Sequence, residues 1–205
     1  MKQVKASYHH GELRKALVDA AAALAAERGP EAVSLRETAK RAGVSHAAPY
    51  HHFSGRAELL HAVALEGFRL MDAEMSRAVA RKRRGAPRER LAALGQAYIR
   101  FAAKNPHYFR AMFRGVKPDD DLPDEHQHGR KNFDLLVAMV QDCLGESGSP
   151  SGRVLDRVLA AWAIVHGTAS LWVERGFHDT PFEQAGYEAL ARAVTRATVS
   201  VFEPD

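Results

Sequence analysis

Several features that mark common classes of protein are missing from this 205-residue sequence. It contains one cysteine, Cys143, so it cannot form an internal disulfide. No apolar run reaches the roughly 18 residues that a membrane-spanning helix needs. The N-terminal stretch MKQVKASYHHGEL lacks the apolar core of a secretory signal. These absences predict a cytoplasmic protein.

Sequence patterns of enzymes are missing as well. There is no glycine-rich phosphate loop, no nucleophile elbow and no histidine pair linked through a glutamate. His126 and His128 lie in an acidic stretch without a cysteine partner, a setting more typical of exposed residues than of a metal site. We therefore expect no catalytic residue, no metal and no cofactor. An enzyme built on a helical bundle remains the alternative, and an activity that depends on His166 would support it.

Strand patterns are absent too, whereas helical periodicity recurs along the chain. The sequence predicts an all-α fold of roughly nine helices, in which an N-terminal three-helix domain with a helix-turn-helix precedes a C-terminal helical-bundle domain. We expect an unstructured tail at 1–7 and a loop at 116–129. The expected longer helices are 11–28, 56–82, 88–103, 130–144, 153–175 and 182–202, with a short one at 105–115.

The stretch Ser34–Arg56, SLRETAKRAGVSHAAPYHHFSGR, has the pattern of a helix-turn-helix. Ser34 and Glu37 form a capping box at the start of the first helix, and Gly43 ends that helix. Ser45 is expected to cap a second helix that runs from His46 to His52. Pro49 falls in the first turn of this second helix, where it removes one backbone donor.

The second helix has a surface that suits the major groove of DNA. Small residues allow close approach, an alanine methyl can contact a thymine methyl, and histidine can bond a base edge. Tyr50 places a hydroxyl at the distance of a phosphate. A helix pair of this kind also occurs in proteins that do not bind DNA. The residues expected on the exposed side are Ser45, His46, Ala47, Tyr50 and His51.

The positive charge of the chain is confined to its N-terminal segment. Residues 1–56 contain 9 Lys+Arg and 5 Asp+Glu, whereas residues 57–205 contain 20 of each. This distribution is typical of a DNA-binding end attached to a neutral body. The conspicuous run at 81–84, RKRR, lies roughly 40 Å along its predicted helix from Arg56. We therefore assign that run to stabilising the end of a helix.

Residues 8–65 resemble the N-terminal domain of TetR-type transcriptional regulators. The resemblance lies in YHHGELRKALVDAA and in GPEAVSLRETAKRAGVSHAAPYHHFSGRAELL, with SLRETA, AGVS and YHHF in the family's order and spacing. It differs from many relatives at Arg56, where they have lysine, and at Pro49, where they have an aliphatic residue. The resemblance implies phosphate contacts from Ser34, Thr38, Tyr50, His52 and Arg56, and groove contacts from Ser45, His46, Ala47 and His51.

The resemblance also implies how the chain is divided and what it does. Residues 8–65, with the motif at 34–53, would bind DNA, and residues 66–205 would sense a ligand and dimerise. Trp162 to Gly167, WAIVHG, is similar to a Trp-His-Gly signature of one subgroup of the family's regulatory domains. The expected function is that of a homodimeric repressor that a small, mostly apolar ligand releases from a palindromic operator. An architectural, non-specific DNA-binding protein is the other alternative.

Two sets of residues follow for the C-terminal domain. Apolar residues spaced three and four apart in the last two long helices predict a dimer interface in a four-helix bundle. These interface residues are Val158, Trp162, Val165, Trp172, Leu190, Val194 and Val201. Aromatic and methionine side chains predict the ligand pocket, although each alone is more consistent with plain core. The pocket candidates are Phe68, Met71, Tyr98, Phe101, Phe109, Met112, Phe113, Phe133, Met139 and His166.

Overall fold

The computed structural model describes the backbone of residues 4–114 and 123–200, and the side chains of residues 12–113 and 129–200. Within these ranges the backbone contains α-helices, short 3₁₀ helices and no strand, which confirms the all-α prediction. The eight α-helices are close to the roughly nine expected. They are α1 Val4–Arg28, α2 Leu35–Ala42, α3 Arg56–Arg81, α4 Pro87–Lys104, α5 Pro106–Arg114, α6 Pro123–Leu144, α7 Gly152–Val173 and α8 Pro181–Ser200.

Helix boundaries agree with the sequence except at two places. α1 begins at Val4, so residues 4–7 are helical and not an unstructured tail. α6 begins at Pro123, within the segment that was expected to be a loop through residue 129. Proline is favoured at the first position of a helix, because its missing N–H would have no partner within the helix there. Residues 115–122 of the expected loop lie outside the described residues.

The chain forms two compact units. The first contains the described residues up to Phe68 together with those between His107 and Glu125. The second contains Arg69–Pro106 and the described residues from His126 onwards. α5 therefore belongs to the first unit, although it follows α4 in the sequence.

The first unit is built on the Ala-rich helix α1. Leu17 and Ala21 are fully buried, and α2 packs against α1. α5 is joined to α1 by the Tyr108 hydroxyl, which donates to Asp19 Oδ1 over 2.5 Å. Burial raises the pKa of Asp19, but hydrogen bonds from Lys15 and Tyr108 outweigh it, and the pKa lies below its usual value. Asp19 is therefore ionised at neutral pH and accepts both hydrogen bonds.

The second unit has α4 at its centre, packed against α7 and α8. Gly95 makes this packing close: a Cβ there would lie 2.9 Å from Thr195 Cγ2 and 3.3 Å from Val165 Cγ2. Arg100 on α4 also pairs with Glu188 on α8, with 3.0 Å between Nε and Oε1. The three helices are thus joined by a tight apolar contact and by a half-exposed ion pair.

The structure changes which residues of α7 are free to meet another chain. Val158 is 1% exposed and Val165 is also buried, and in α8 so is Leu190. These three residues of the expected interface belong to the core of their own unit. Trp172 and Val194 are half-buried, and Val201 lies outside the described residues.

Large apolar side chains nevertheless remain on the outside of α7. We call Leu155, Leu159 and Trp162 the exposed α7 face, because they lie three and four residues apart on one side of the helix and each exposes 42% or more of its surface. Ile164 and Leu171 are also exposed, but they lie on the opposite flank of α7. By length and composition α7 could cross a membrane, a test that core helices of soluble proteins also pass. A helix that is apolar on both its core face and its outer face is usual where a second surface covers it.

Candidate nucleic-acid interface

The first helix of the motif is capped as the sequence predicts. The Ser34 hydroxyl accepts a hydrogen bond from the Glu37 amide over 3.1 Å. The Glu37 carboxylate lies 4.0 Å from Arg28 Nη1 of α1. Gly43 ends α2 with φ 70° and ψ 29°, the left-handed conformation that favours glycine. The serine cap and the glycine turn are therefore confirmed.

The second element of the motif differs from the prediction. It is a 3₁₀ helix of four residues, Ala48–His51, and not an α-helix from His46 to His52. Pro49 explains the difference, because it has no N–H to donate to the carbonyl of Ser45. The turn is closed by three-residue bonds instead, from Ala48 N to Ser45 O over 3.0 Å and from Tyr50 N to Ala47 O over 3.2 Å. Ala47, rather than Ser45, is the residue before the first turn.

The residues expected to contact bases, and Tyr50, lie on the outside of this turn. Tyr50 exposes 64% of its surface, while Pro49 is buried and fixes the turn to the unit. Pro49 is buried and Ala48 is half-buried, whereas the residues on either side of them face outwards, so the turn presents a mostly polar surface. Its exposed residues are Ser45, His46, Ala47, Tyr50 and His51.

Two of the expected phosphate contacts, Thr38 and Arg56, have surroundings that the sequence did not predict. Thr38 is fully buried, and its Oγ1 has no hydrogen-bond partner, so it presents no surface to a phosphate. Arg56 donates through Nε to Val33 O over 2.9 Å and through Nη2 to Pro30 O over 2.8 Å. Arg56 therefore connects the start of α3 to the loop before α2. The other two, Ser34 and His52, are half-buried.

We expect Arg56→Lys to lower the stability of the first unit. An ammonium cannot reproduce the two-armed contact of a guanidinium, and losing hydrogen bonds from a charged donor costs about 1–2 kcal/mol. The urea midpoint of unfolding, followed by circular dichroism, measures this change. Arg36→Lys, at an exposed position of α2, is the control and should leave the midpoint unaltered. An unaltered midpoint for Arg56→Lys would show that Arg56 has no structural role.

Sequence reasoning overlooked two cations of α2. Arg36 and Lys40 lie one helical turn apart and are exposed, so they share an outer face. The third cation of the helix, Arg41, is bound to Glu27 of α1 through two hydrogen bonds of 2.7 Å. The i, i+4 spacing of the basic pair was the signal that could have identified it. Arg36 and Lys40 add positive charge to the unit that carries the exposed turn.

The expected pocket residues are divided between the two units. In the first, the Phe113 ring lies 5.9 Å from Phe68 and 4.9 Å from Phe109. Gly67 leaves room for Met112, since a Cβ at Gly67 would lie 2.7 Å from the Met112 Sδ. These four candidates therefore form one apolar cluster.

In the second unit the candidates surround a pair of polar rings. The Tyr98 hydroxyl lies 2.8 Å from His166 Nδ1, and the Trp162 ring contacts both His166, at 5.9 Å, and Phe133, at 6.4 Å. Burial raises the pKa of Tyr98 far above its usual value and lowers the pKa of His166. Both side chains are thus neutral at pH 7. The remaining candidates, Met71, Phe101 and Met139, are buried in the core.

One group of possible metal ligands occurs among the described residues. Ligand atoms of His178, Asp179 and Glu183 lie within 4.8 Å of one another, and all three side chains are exposed. Glu183 Oε2 is 3.0 Å from His178 Nδ1 and accepts from the Asp179 amide over 2.9 Å. These bonds stabilise the turn before α8, which is a sufficient reason for the arrangement.

Comparison with known families agrees with this geometry. Residues 17–63 match the family described as bacterial regulatory proteins, tetR family. Residues 91–197 match the tetracyclin repressor-like C-terminal domain. The two matches cover the helix-turn-helix and most of the second unit.

Individual proteins show the same likeness. The chain is 33% identical over 128 residues to the transcriptional repressor KstR of Mycolicibacterium smegmatis, which covers 62% of each chain. It is 25% identical over 171 residues to the transcriptional regulator YobS of Bacillus subtilis, which covers 82% of each. Among solved structures, a protein of unknown function from Rhodococcus sp. RHA1 is 31% identical, with a TM-score of 0.75 over 95% of both chains.

A more distant structure carries a ligand. The regulator FadR of Bacillus subtilis, solved in complex with stearoyl-CoA, has a TM-score of 0.72 at 18% identity and covers 91% of this chain and 97% of its own. At this identity the likeness concerns the fold. Taken together, the helix-turn-helix, the two domain matches and these relatives establish that the chain is a transcriptional regulator of the TetR family.

Proposed function

We propose that this regulator is a homodimeric repressor that a small, mostly apolar molecule releases from a palindromic operator in the cytoplasm. The observation that carries the proposal is the exposed polar turn at Ser45–His51, held outwards by the buried Pro49. A short element with small and polar side chains can approach base edges closely. Repression, rather than activation, is supported by the relative KstR, which is described as a transcriptional repressor.

The contacts to DNA divide into two kinds. Ser45, His46, Ala47 and His51 would meet base edges in the major groove, and Tyr50 would donate to a phosphate. Ser34 and His52, both half-buried, and the exposed Arg36 and Lys40 would add phosphate contacts. Thr38 and Arg56 would act inside the unit and support the motif without touching DNA.

Dimerisation is supported by the exposed α7 face. The three large apolar side chains of this face lose contact with water when a second copy covers them, which favours association. A two-fold dimer would present the exposed Ser45–His51 turn of each protomer to successive major grooves, about 34–36 Å apart. Such an arrangement binds an operator whose half-sites are related by the same two-fold symmetry.

Ligand response is supported by the aromatic and methionine side chains and by FadR, a structure that contains stearoyl-CoA. A ligand releases DNA only if it binds the non-binding conformer more tightly than the binding one. An apolar molecule that enters either cluster of candidate residues could supply this difference by repacking the rings.

Selection of bound DNA from a random pool tests the proposal, with two variants that separate the contacts. Tyr50→Phe should weaken binding to every sequence by a common factor, roughly fivefold, because it removes one phosphate hydrogen bond. His46→Ala should change the base preference at one position of each half-site. The difference in binding free energy between the bases at that position should change by about 1 kcal/mol or more. Fluorescence anisotropy on the selected operator and on single-base variants of it measures both effects.

Arg81→Ala, in the basic run at the end of α3, serves as the control and should leave operator affinity unchanged. Similar affinity for random and selected DNA would favour the architectural alternative. If Tyr50→Phe and His46→Ala altered binding equally on every sequence, the division into phosphate and base contacts would be incorrect.

A further inference from the structure

Asn132 on α6 is buried, yet its side chain makes no hydrogen bond. It is 6% exposed, and neither Nδ2 nor Oδ1 has a partner. Exchanging the two atoms does not help, because both positions lack a partner. A buried polar group left in this state costs roughly 1–3 kcal/mol, and native proteins contain few of them.

The buried threonines of the second unit are satisfied, and the other buried atom without a partner among its described residues is Nε of Arg90, whose Nη2 lies 3.2 Å from Asp142 Oδ2. Thr168 donates to Ile164 O over 2.8 Å, and Thr195 donates to Ala191 O over 2.7 Å. Asn105, half-buried at the end of α4, donates to Phe101 O over 3.1 Å. A side-chain carboxamide with neither hydrogen bond is therefore unusual among the polar residues described in this unit.

The two neighbours of Asn132 on α6 determine the direction in which it faces. Lys131 Nζ lies 2.8 Å from Asp72 Oδ2 of α3. The Phe133 ring meets the Trp162 ring of α7 edge-on. Because successive residues of a helix are about 100° apart, Asn132 faces the interior between these two attachments.

The interior of this unit offers Asn132 little to bond. The same face of α6 continues through Met139 and Val140, and Met71 and Phe101 are buried elsewhere in the same unit. None of these side chains is a strong donor or acceptor. A molecule that entered this core would find an apolar wall and one buried carboxamide.

The charged side chains near Asn132 indicate which chemical class of molecule could bind there. The cations beside Asn132 are already paired, Lys131 with Asp72 and Arg130 with Asp134, so the side chains described from residue 129 onwards offer no unpaired positive charge on this turn of α6. Burying an anion without a partner is far more costly than burying a hydrogen-bonded neutral group. A carboxamide presents two donors and an acceptor, and its best partner is a neutral group that both donates and accepts.

We propose that Asn132 is the hydrogen-bonding anchor for the effector, and that the effector is a mostly apolar molecule carrying a neutral amide or hydroxyl group. This assignment rests on the ligand-responsive function proposed above. It gives the otherwise costly buried amide a function, because binding supplies the hydrogen bonds that the free protein lacks.

The chain offers a direct measurement, because it contains two asparagines, Asn105 and Asn132. Labelling with ¹⁵N-asparagine leaves two side-chain amide signals, and the spectrum of Asn132→Leu assigns them. Hexanamide is the probe, and hexanoate and 2-heptanone are its charged and donor-free counterparts. We expect hexanamide to move the Asn132 signal and leave the Asn105 signal in place, and the two counterparts to move either signal far less.

Affinity and stability complete the test on the full-length protein. Asn132→Leu should bind hexanamide about tenfold more weakly, melt at the same or a higher temperature, and bind operator DNA like the wild type when no probe is present. Asn105→Leu is the matched control, and it should melt at a lower temperature with unchanged affinity for hexanamide, because it loses an existing hydrogen bond.

Two results would overturn the assignment. The first is that Asn132→Leu melts at a lower temperature and binds hexanamide normally, the result expected if a buried water satisfies the amide. The second is that hexanamide fails to move the Asn132 signal of the wild type. A wild-type protein that binds the probe but no selected operator would instead remove the proposed function and leave the Asn132 site intact.

Discussion

Leu159→Glu is expected to prevent the proposed dimer from forming and to leave the protein monomeric. Leu159 is 61% exposed within its own chain and belongs to the exposed α7 face. Each protomer tolerates a carboxylate there, whereas a two-fold interface would bury it twice in apolar surroundings. Sedimentation equilibrium measures the change of mass.

Operator affinity should fall with the loss of the dimer. A dimer binds its second half-site as an intramolecular event, at an effective concentration that a free monomer does not reach. We therefore expect the affinity for a full operator to drop roughly 100-fold or more, while the affinity for a single half-site is retained. Fluorescence anisotropy with full and half operators separates these two quantities.

Two further substitutions control for the added charge. Ala80→Glu puts the same carboxylate on an exposed position of α3 and should leave the dimer intact. Val158→Glu puts it in the core of the protomer and should unfold the second unit. A stable dimer of Leu159→Glu would exclude the exposed α7 face from the interface.

Phe53→Ala should unfold the DNA-binding unit. Phe53 is 2% exposed, and the Arg14 guanidinium lies 5.2 Å from the centre of its ring. Removing a buried phenylalanine ring leaves a cavity and costs about 3–5 kcal/mol. That loss is a large part of the roughly 5–15 kcal/mol that stabilises a typical domain.

The expected result is a protein that has lost operator binding and part of its helical signal at room temperature. Differential scanning calorimetry should show the first unit melting earlier than in the wild type. Phe182→Ala removes the same ring from an exposed position of α8 and should change little. Equal melting profiles for Phe53→Ala and the wild type would mean that the motif does not depend on this ring.

The sequence predicted the helices well because their end signals are local. Proline at the first helical position and glycine after the last one act on adjacent residues, and these signals mark most of the boundaries. The prediction of a loop through residue 129 was wrong because it also relied on local signals, and those signals were ambiguous. Pro118, Pro123 and the acidic run at 119–121 were taken as signs of a loop, although a proline such as Pro123 is also common at the first position of a helix.

Side-chain roles were harder to predict because they depend on contacts between distant parts of the chain. Arg56 bonds carbonyl groups 23 and 26 residues away, and no local pattern indicates those bonds. The exposed set around Tyr50 was predicted correctly as a surface, whereas its helix type was not, because Pro49 replaces four-residue bonds with three-residue ones. Sequence periodicity identifies an apolar face of a helix. It does not identify which helix, or which partner chain, packs against that face.

α7 illustrates this limit. Val158 and Val165 form one apolar stripe, and Leu155, Leu159 and Trp162 form another on the same helix. Both stripes have helical spacing, so the sequence alone does not tell which one packs inside the chain. The position of α4 decides it, because Gly95 brings α4 within contact of Val165.

The place of α5 in the first unit has a consequence for anyone who recombines regulators. A chimaera that joins the first 68 residues to a foreign sensing domain would cut the chain at an apparent boundary and discard α5. Asp19 would then lose Tyr108, and Gly67 would lose the side chain of Met112 that fills the space beside it. If the first unit is transferred to another regulator, the transferred sequence must therefore include two separate stretches of this chain.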